Sequence, residues 1–353
     1  MSSIVQRLCL CIHFCVDTGV NIFNRNMDSK PKTIHLGNVC RSFLSPQMWC
    51  RALREAIEPL LADEFRTLTS RELGPIVREK MMNAGASKET AEEFALEVLH
   101  HCFTKAKSGN TPVDPKAPPK DPLSSEGTKF SWIVKEEVMA ATERKIAGKD
   151  PDLNKISEAL KNDRSLGVAL WGRMMAGHPE FKVIRCSHLS GVIGVQRSEA
   201  DIEDFVMKDD LGDKSGAAHL SVRERRPSLG YGWIGFDVHN MMEYYGLDKT
   251  IEILTKVYQF SALPHIRGVD LPVPCGLVEI GRVKMEWSLA FQPPIASDNP
   301  AAEAAQRLRA HHDMLKTSFG SDISVVEPFG LGIPVSNGEE FIARILRERL
   351  GGK

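Results

Sequence analysis

The sequence predicts an α+β fold with a helical insertion, and three observations carry that prediction. The apolar run from Ile4 to Phe14 is short and near-continuous, as in a strand buried on both faces. The text from Pro59 to about Phe103, and again from Ser131 to Leu160, has helical spacing. From Phe181 onward, strand-like and helical segments alternate to the end of the chain.

Taken in order, the first strand should sit centrally in a sheet, and Asp17 to Lys32, rich in Gly, Asn, Asp, Ser and Pro, reads as a long loop. The first helix begins at Ser45-Pro46-Gln47: a serine oxygen suits the cap, and proline at the first helical position loses no hydrogen bond. Met48, Trp49, Ala52, Leu53 and Ala56 should face a core, with Arg51, Arg54, Glu55 and Glu58 on the other side. Leu73, Ile76, Val77 and Met81 form one helical stripe, and Ala91, Phe94, Ala95, Val98 and Leu99 form a second. Lys107 to Lys129 is rich in Pro, Lys and Asp and buries too little apolar surface to fold alone, so it is expected to be a mobile loop. Strand character returns between Phe181 and Val195, and the charged excursion from Gln196 to Gly230 reads as a protruding hairpin or loop. Trp233–Val238 and Gly276–Met285 are strand-like; Leu247–Leu263, Ala301–Lys316 and Glu339–Leu350 are helical.

With 353 residues, 42% hydrophobic and 26% charged, the chain can build a sizeable core as one large domain with an insertion or as two domains. The formal charge of −1 gives no global basic field, so any nucleic-acid site must be a local patch. Eight scattered cysteines without a C-x-x-C pair disfavour a disulfide framework and a zinc ribbon, and fit a reducing cytoplasm. Ile4 to Val16 is too short for a membrane span and ends without a signal-peptide cleavage pattern.

No catalytic constellation stands out. Gly230-Tyr-Gly-Trp-Ile-Gly235 fits the dinucleotide pattern in letters, but RRPSL precedes it and the strand-like FDVHNM follows, so a bend entering a strand is expected. Cys9, Cys11, His13 and Cys15 would share one strand face, yet alternate residues stand about 6.6 Å apart, too far for four to reach one ion, so core packing is expected and no metal. His100-His101 and His311-His312 are adjacent pairs whose side chains diverge. The N-terminus of the Ser45 helix could hold a phosphate with Arg41 before it and Arg51 one turn in, or the arginines could simply pair with Glu55 and Glu58 on a solvated face. Ser221-Val-Arg-Glu-Arg-Arg226 fits a solvated loop or an RNA contact equally.

Three blocks in fixed order, NRNMDSKPKTIHLGNVCRSFLSPQMWCRALR from Asn24, ALWGRMMA from Ala169 and DIEDFVMKDDLGDKSGAAHLS from Asp201, resemble the CasC family. These are the repeated backbone subunits of the type I-E CRISPR Cascade. The resemblance implies a palm with a modified RNA-recognition-motif (ferredoxin-like) sheet, a helical fingers insertion and a thumb hairpin. The implied divisions are palm 1–58, fingers 59–180, palm 181–195, thumb 196–230, and 231–353 for the second part of the palm with the C-terminal helix.

It further implies a non-catalytic subunit that forms a filament along CRISPR RNA, with target DNA pairing through the guide and other Cascade subunits as partners. No cofactor or membrane is implied. Because the guide varies, such a protein must hold phosphates without reading bases. Position by position, Arg25, Lys32, Arg41, Ser45, Gln47, Arg51 and Arg54 match the RNA-facing loop and helix, with Lys30 beside them. Arg173 and Met174 are expected among the RNA contacts, Met174 matching a methionine that wedges against bases, and Phe205 with His219 and Leu220 matches the base-displacing thumb. Asn38, Val39, Cys40, Phe43, Pro46 and Cys50 depart from the family pattern, several of them at basic positions. Each lost cation removes a phosphate contact unless Arg223, Arg225, Arg226 or the Lys30 loop compensates. The competing readings are an RNA-binding module outside CRISPR immunity, and an enzyme such as an RNA-processing nuclease or a thiol hydrolase using Cys50.

Overall fold

The computed structural model describes residues 8–20, 22–102, 123, 128–175, 178–208, 217–320 and 324–351, with backbone alone for 102, 128–129, 205–208 and 217–221. The chain divides into two compact units, residues 1–57 with 187–353, and residues 58–186. The Pro- and Lys-rich stretch expected to be a mobile loop falls almost wholly outside the described residues.

The first unit opens with β1 (Cys9–Asp17), a hairpin of β2 (Thr33–Leu36) and β3 (Val39–Leu44), and α1 (Pro46–Ile57). The inserted unit contains β4 (Thr67–Ser70), α2 (Leu73–Asn83), α3 (Lys88–Cys102), β5 (Thr128–Ser131), α4 (Trp132–Ile146), α5 (Asn154–Lys161) and α6 (Leu166–Trp171). The first unit resumes with β6 (Ser187–Gly194), β7 (Asp201–Lys208), β8 (Ala217–Arg225), β9 (Leu229–Asp237) and α7 (Val238–Ala262). It ends with β10 (His265–Ile266), β11 (Val269–Asp270), β12 (Cys275–Gly281), α8 (Pro300–Phe319), β13 (Ser324–Phe329) and α9 (Val335–Leu350).

A seven-stranded sheet of order β13-β12-β1-β9-β6-β3-β2, antiparallel at every pairing, forms the centre of the first unit. As its apolar run requires, β1 is an interior strand, buried from Cys9 to Val16. One sheet face carries Phe14, which stacks on Trp49 of α1 at 5.1 Å between ring centroids; Trp49 in turn meets Phe260 of α7 edge-on at 5.5 Å. The other face carries Cys11, Cys15, Tyr231 and Trp233 under Trp287, Phe291 and the α8 residues Ala304, Leu308 and Leu315. His13 shares this second face, stacked on Trp287 at 3.7 Å, and burial lowers the pKa of both His13 and His312 from the ordinary histidine value.

The glycine pattern at 230–235 lies inside β9, not at a bend before it. The reason is packing: a Cβ at Gly232 would stand 2.4 Å from Cζ of Phe14, so this glycine lets the ring cross the strand. The strand-like FDVHNM also needs correction. Asp237 accepts a hydrogen bond from the Asn240 amide at 3.3 Å and caps a helix that begins at Val238. The β2–β3 hairpin fills the stretch between the expected loop and the expected helix, for which the sequence reading predicts no element. Its two-residue turn, Gly37-Asn38, has φ of 57° and 61°, the paired positive values that join two antiparallel strands tightly.

The excursion after β6 forms the separate two-stranded β7–β8 sheet, with a register shift between Met207 and Lys208. In the inserted unit, the two predicted stripes, apart from the exposed Ile76, come together with α4 and α5 in one core that includes Leu73, Val77, Met81, Phe94, Val98, Val134, Val138, Ile156 and Leu160. Among the described residues no helix is long and apolar enough to cross a membrane.

Candidate nucleic-acid interface

The loop before the hairpin is closed on itself. The Asn26 amide donates to the Lys30 carbonyl at 2.8 Å, the Lys30 amide donates to the Asn26 side chain at 2.9 Å, and the Arg25 guanidinium donates to the Ser29 carbonyl. Further bonds tie this ring to the hairpin and helix: the Lys32 amide to the Asn24 carbonyl, the Phe43 amide to the Lys32 carbonyl, both at 3.0 Å, and the Ser45 amide to the Asn24 side chain at 3.2 Å. Arg25, Met27 and Lys30 are thereby held on the outside of a small, defined loop, with Met27 98% exposed.

Lys32 and Arg226 line one cleft with Asn24, Phe43, Leu44 and Val192, beside the start of α1. Ser45 itself is buried, while Gln47 and Arg51, one turn apart, are exposed. A second cleft lies between α1 and the β10–β11 turn, with Arg51 and Glu55 on one wall and His265 and Arg267 on the other. Arg51 is paired with Glu55 at 2.6 Å, so the solvated-face reading of this helix is present in part. Glu58 instead accepts from the Thr67 amide at 3.0 Å. Arg54 is half-buried.

Two expected RNA contacts are corrected. Arg41 is fully buried, and its guanidinium donates to four carbonyls, Gly194 at 3.1 Å, Val195 at 2.8 Å, Phe291 at 3.0 Å and Gln292 at 2.9 Å. Burial, then Arg307 and Arg197 nearby, lowers its pKa from the ordinary arginine value. Those donors fasten the hairpin to the segment at 291–292 and are not available to a phosphate. Arg173 is likewise buried in the inserted unit, donating to Asp163 at 2.7 Å, to the Leu160 carbonyl at 2.7 Å and to the Phe181 carbonyl at 3.0 Å. Its backbone pairs with Val183, and the next residue, Met174, is 85% exposed. The arginine braces the segment that displays the methionine.

In the hairpin, Phe205 stands opposite Ser221, Val206 opposite Leu220 and Met207 opposite His219. Phe205 and His219 therefore occupy positions of one parity and Leu220 the other. Two of the arginines considered as compensation are paired: Arg225 with Glu203 at 2.7 Å and Arg226 with Glu224 at 2.6 Å. Sequence reasoning missed Arg267 and His265, whose signal was the Arg-Gly turn after Pro264 between a helical stretch and a strand-like one.

These elements place an exposed basic loop, a cleft with Lys32 and Arg226, and an exposed Gln47–Arg51 edge in the first unit. Similar folds are found in solved CRISPR assemblies. A chain of a "CRISPR RNA-guided surveillance complex, pre-nicking" matches with a TM-score of 0.77 and 17% identity, covering 97% of this chain and 100% of that one. A chain of a "CRISPR RNA-guided surveillance complex" matches with a TM-score of 0.69 and 17% identity, covering 96% of this chain and 99% of that one. Among curated proteins nothing matches. The family model for CT1975-like protein matches residues 10–328, nearly the whole length over which the sheet, the insertion and the basic loop have been described, and the chain belongs to this CT1975-like family of Cas proteins.

Proposed function

We propose that the chain is a non-catalytic backbone subunit of a type I-E-like Cascade complex, which assembles in several copies along CRISPR RNA and presents the guide for pairing with target DNA. The observation that carries the reading is the end-to-end likeness of this Cas-family chain to whole subunits of RNA-guided surveillance complexes. The sheet of the first unit serves as the palm, a modified RNA-recognition-motif sheet; residues 58–186 serve as fingers, and the β7–β8 hairpin as thumb. Phosphates are held by Arg25, Lys30, Lys32, Gln47 and Arg51, with Arg54 at the edge and the α1 terminus after Ser45 beneath them. Met174 acts as the apolar wedge between bases, and Phe205, His219 and Leu220 act where the thumb displaces a base. The partners are the guide RNA, further copies of the chain and other Cascade subunits, in the cytoplasm.

The test is purification of the full chain after co-expression with a CRISPR array and the neighbouring subunits. RNA of discrete length bound to the chain is the expected result. Cellular RNA of random length would point to an RNA-binding module outside CRISPR immunity, and RNA cut by the isolated chain would point to a nuclease.

A further inference from the structure

We infer that the core of the first unit holds a structural zinc ion, bound by Cys11, His13 and Glu279, with His312, which stands beside the carboxylate but outside the 4.8 Å group of those three, moving in as the fourth ligand. The site arises from sheet register. Cys11 of β1 stands directly opposite Glu279 of β12, and His13 lies two residues further along β1 on the same face. The ligand atoms of Cys11, His13 and Glu279 all lie within 4.8 Å of one another. His13 Nε2 is 3.6 Å from Glu279 Oε2, and from the other side His312 Nδ1 of α8 is 3.7 Å from Glu279 Oε1. Around a tetrahedral zinc ion with ordinary bond lengths, donor atoms stand about 3.3–3.6 Å apart. The two histidine–carboxylate distances are therefore close to metal spacing and too long for hydrogen bonds.

The polar atoms themselves ask for a ligand. The four residues are 0%, 0%, 4% and 3% exposed, in the order Cys11, His13, Glu279 and His312. Among the described residues, His13 Nε2 and both ring nitrogens of His312 have no hydrogen-bond partner. Orphaned buried nitrogens are costly, and here they border a buried carboxylate. His13 Nδ1 is 3.0 Å from the Tyr231 hydroxyl, whose oxygen also accepts the Trp287 amide at 2.9 Å. In the tautomer whose Nδ1–H donates to that oxygen, the Nε2 lone pair faces the carboxylate and is open to a metal, the arrangement usual for a metal-bound histidine. Trp287, stacked on His13, fixes the ring plane.

Cys11 now donates its thiol to the Val283 carbonyl over a long 4.0 Å. On binding, the thiol proton leaves to solvent and the thiolate takes the metal. One thiolate, one carboxylate and two neutral imidazoles then balance a divalent ion in charge. A mixed sulfur, nitrogen and oxygen set with four protein ligands favours zinc in a closed structural site. One strand alone could not supply the set. Cys9 and Cys15 lie outside the group; β12 supplies Glu279, and His312, drawn in from beside that carboxylate, would pin α8 to the sheet.

The experiment uses the full chain purified from zinc-supplemented cells and dialysed against a weak chelator. Elemental analysis should find about one zinc per chain. Removal with a strong chelator should lower Tm, and zinc should restore it. Cobalt substituted for zinc should give a thiolate-to-cobalt charge-transfer band that is lost in Cys11→Ser and kept in Cys15→Ser, a buried cysteine on the same strand. If Cys11→Ser does not fold, the metal content, cobalt band and chelator response of the unaltered chain decide. A chain without zinc whose Tm ignores zinc and chelator overturns the site, as does full zinc retention by folded Cys11→Ser. Neither result bears on RNA binding.

Discussion

Two segments of the molecule, β3 with α1 in the first unit and residues 160–183 in the inserted unit, each carry an arginine that the sequence offered to RNA and the fold turned inward. The difference lies in what answers the charge. Arg173 meets a carboxylate, Asp163, itself buried and held by the Ser131 amide at 3.0 Å and the Ser165 amide at 2.9 Å. Arg41 meets four backbone carbonyls and no carboxylate. A buried arginine can thus serve as half of an ion pair or as a multi-pronged clamp on backbone, and the two should fail differently when removed.

The largest effect is expected at the ion pair. Arg173→Met leaves Asp163 buried without its cation, so the chain should lose about 3–5 kcal/mol in denaturant unfolding. Arg173→Met combined with Asp163→Asn should recover part of that loss, since the uncompensated charge is gone. Equal instability of the single and double variants would show that packing, not charge, dominates there. Arg41→Met strands only neutral carbonyls, and the Val195 carbonyl keeps its bond from the Ile295 amide at 2.9 Å. Its cost should be smaller, about 2–3 kcal/mol, because no charge is left unpaired. A larger loss at Arg41 than at Arg173 would reverse the comparison.

This contrast also marks how far the sequence could be read. The β1 strand was legible because both its faces are buried, and the α1 start because Ser-Pro-Gln is a local signal. The burial of Arg41 was not legible: its acceptors lie more than 150 residues away in sequence for Gly194 and Val195, and further still for Phe291 and Gln292. The β2–β3 hairpin was hidden because β2 has only four residues, too few for the alternation of Thr33-Ile34-His35-Leu36 to stand out, and all of it but Leu36 is exposed. Cys11 and His13 were weighed as a row on one strand, whereas their neighbours Glu279 and His312 depend on strand register and helix packing that no local spacing encodes.

Surface cations should behave in the opposite way to the buried pair. Lys32→Glu with Arg51→Glu should cost about 1 kcal/mol or less, counting the lost Arg51–Glu55 pair and the repulsion that replaces it. The same variant should strip guide RNA from the co-expressed complex, and each single change should flatten the salt dependence of RNA binding by about 0.7 in slope. RNA retained at full occupancy by the double variant would move the phosphate path away from this edge.

The smallest effect is the most discriminating for α1. Arg51 and Glu55 form an exposed pair one turn apart, worth about 0.3–0.5 kcal/mol to the helix. If the pair merely decorates a solvated face, Glu55→Ala costs that amount of stability and leaves RNA binding unchanged. If Arg51 serves RNA, Glu55 competes with phosphate for the guanidinium, and removing it should tighten RNA binding by about twofold while the fold weakens by the same few tenths of a kcal/mol. Opposite signs in the two measurements, made on one variant, separate a helix that holds RNA from one that only carries charge.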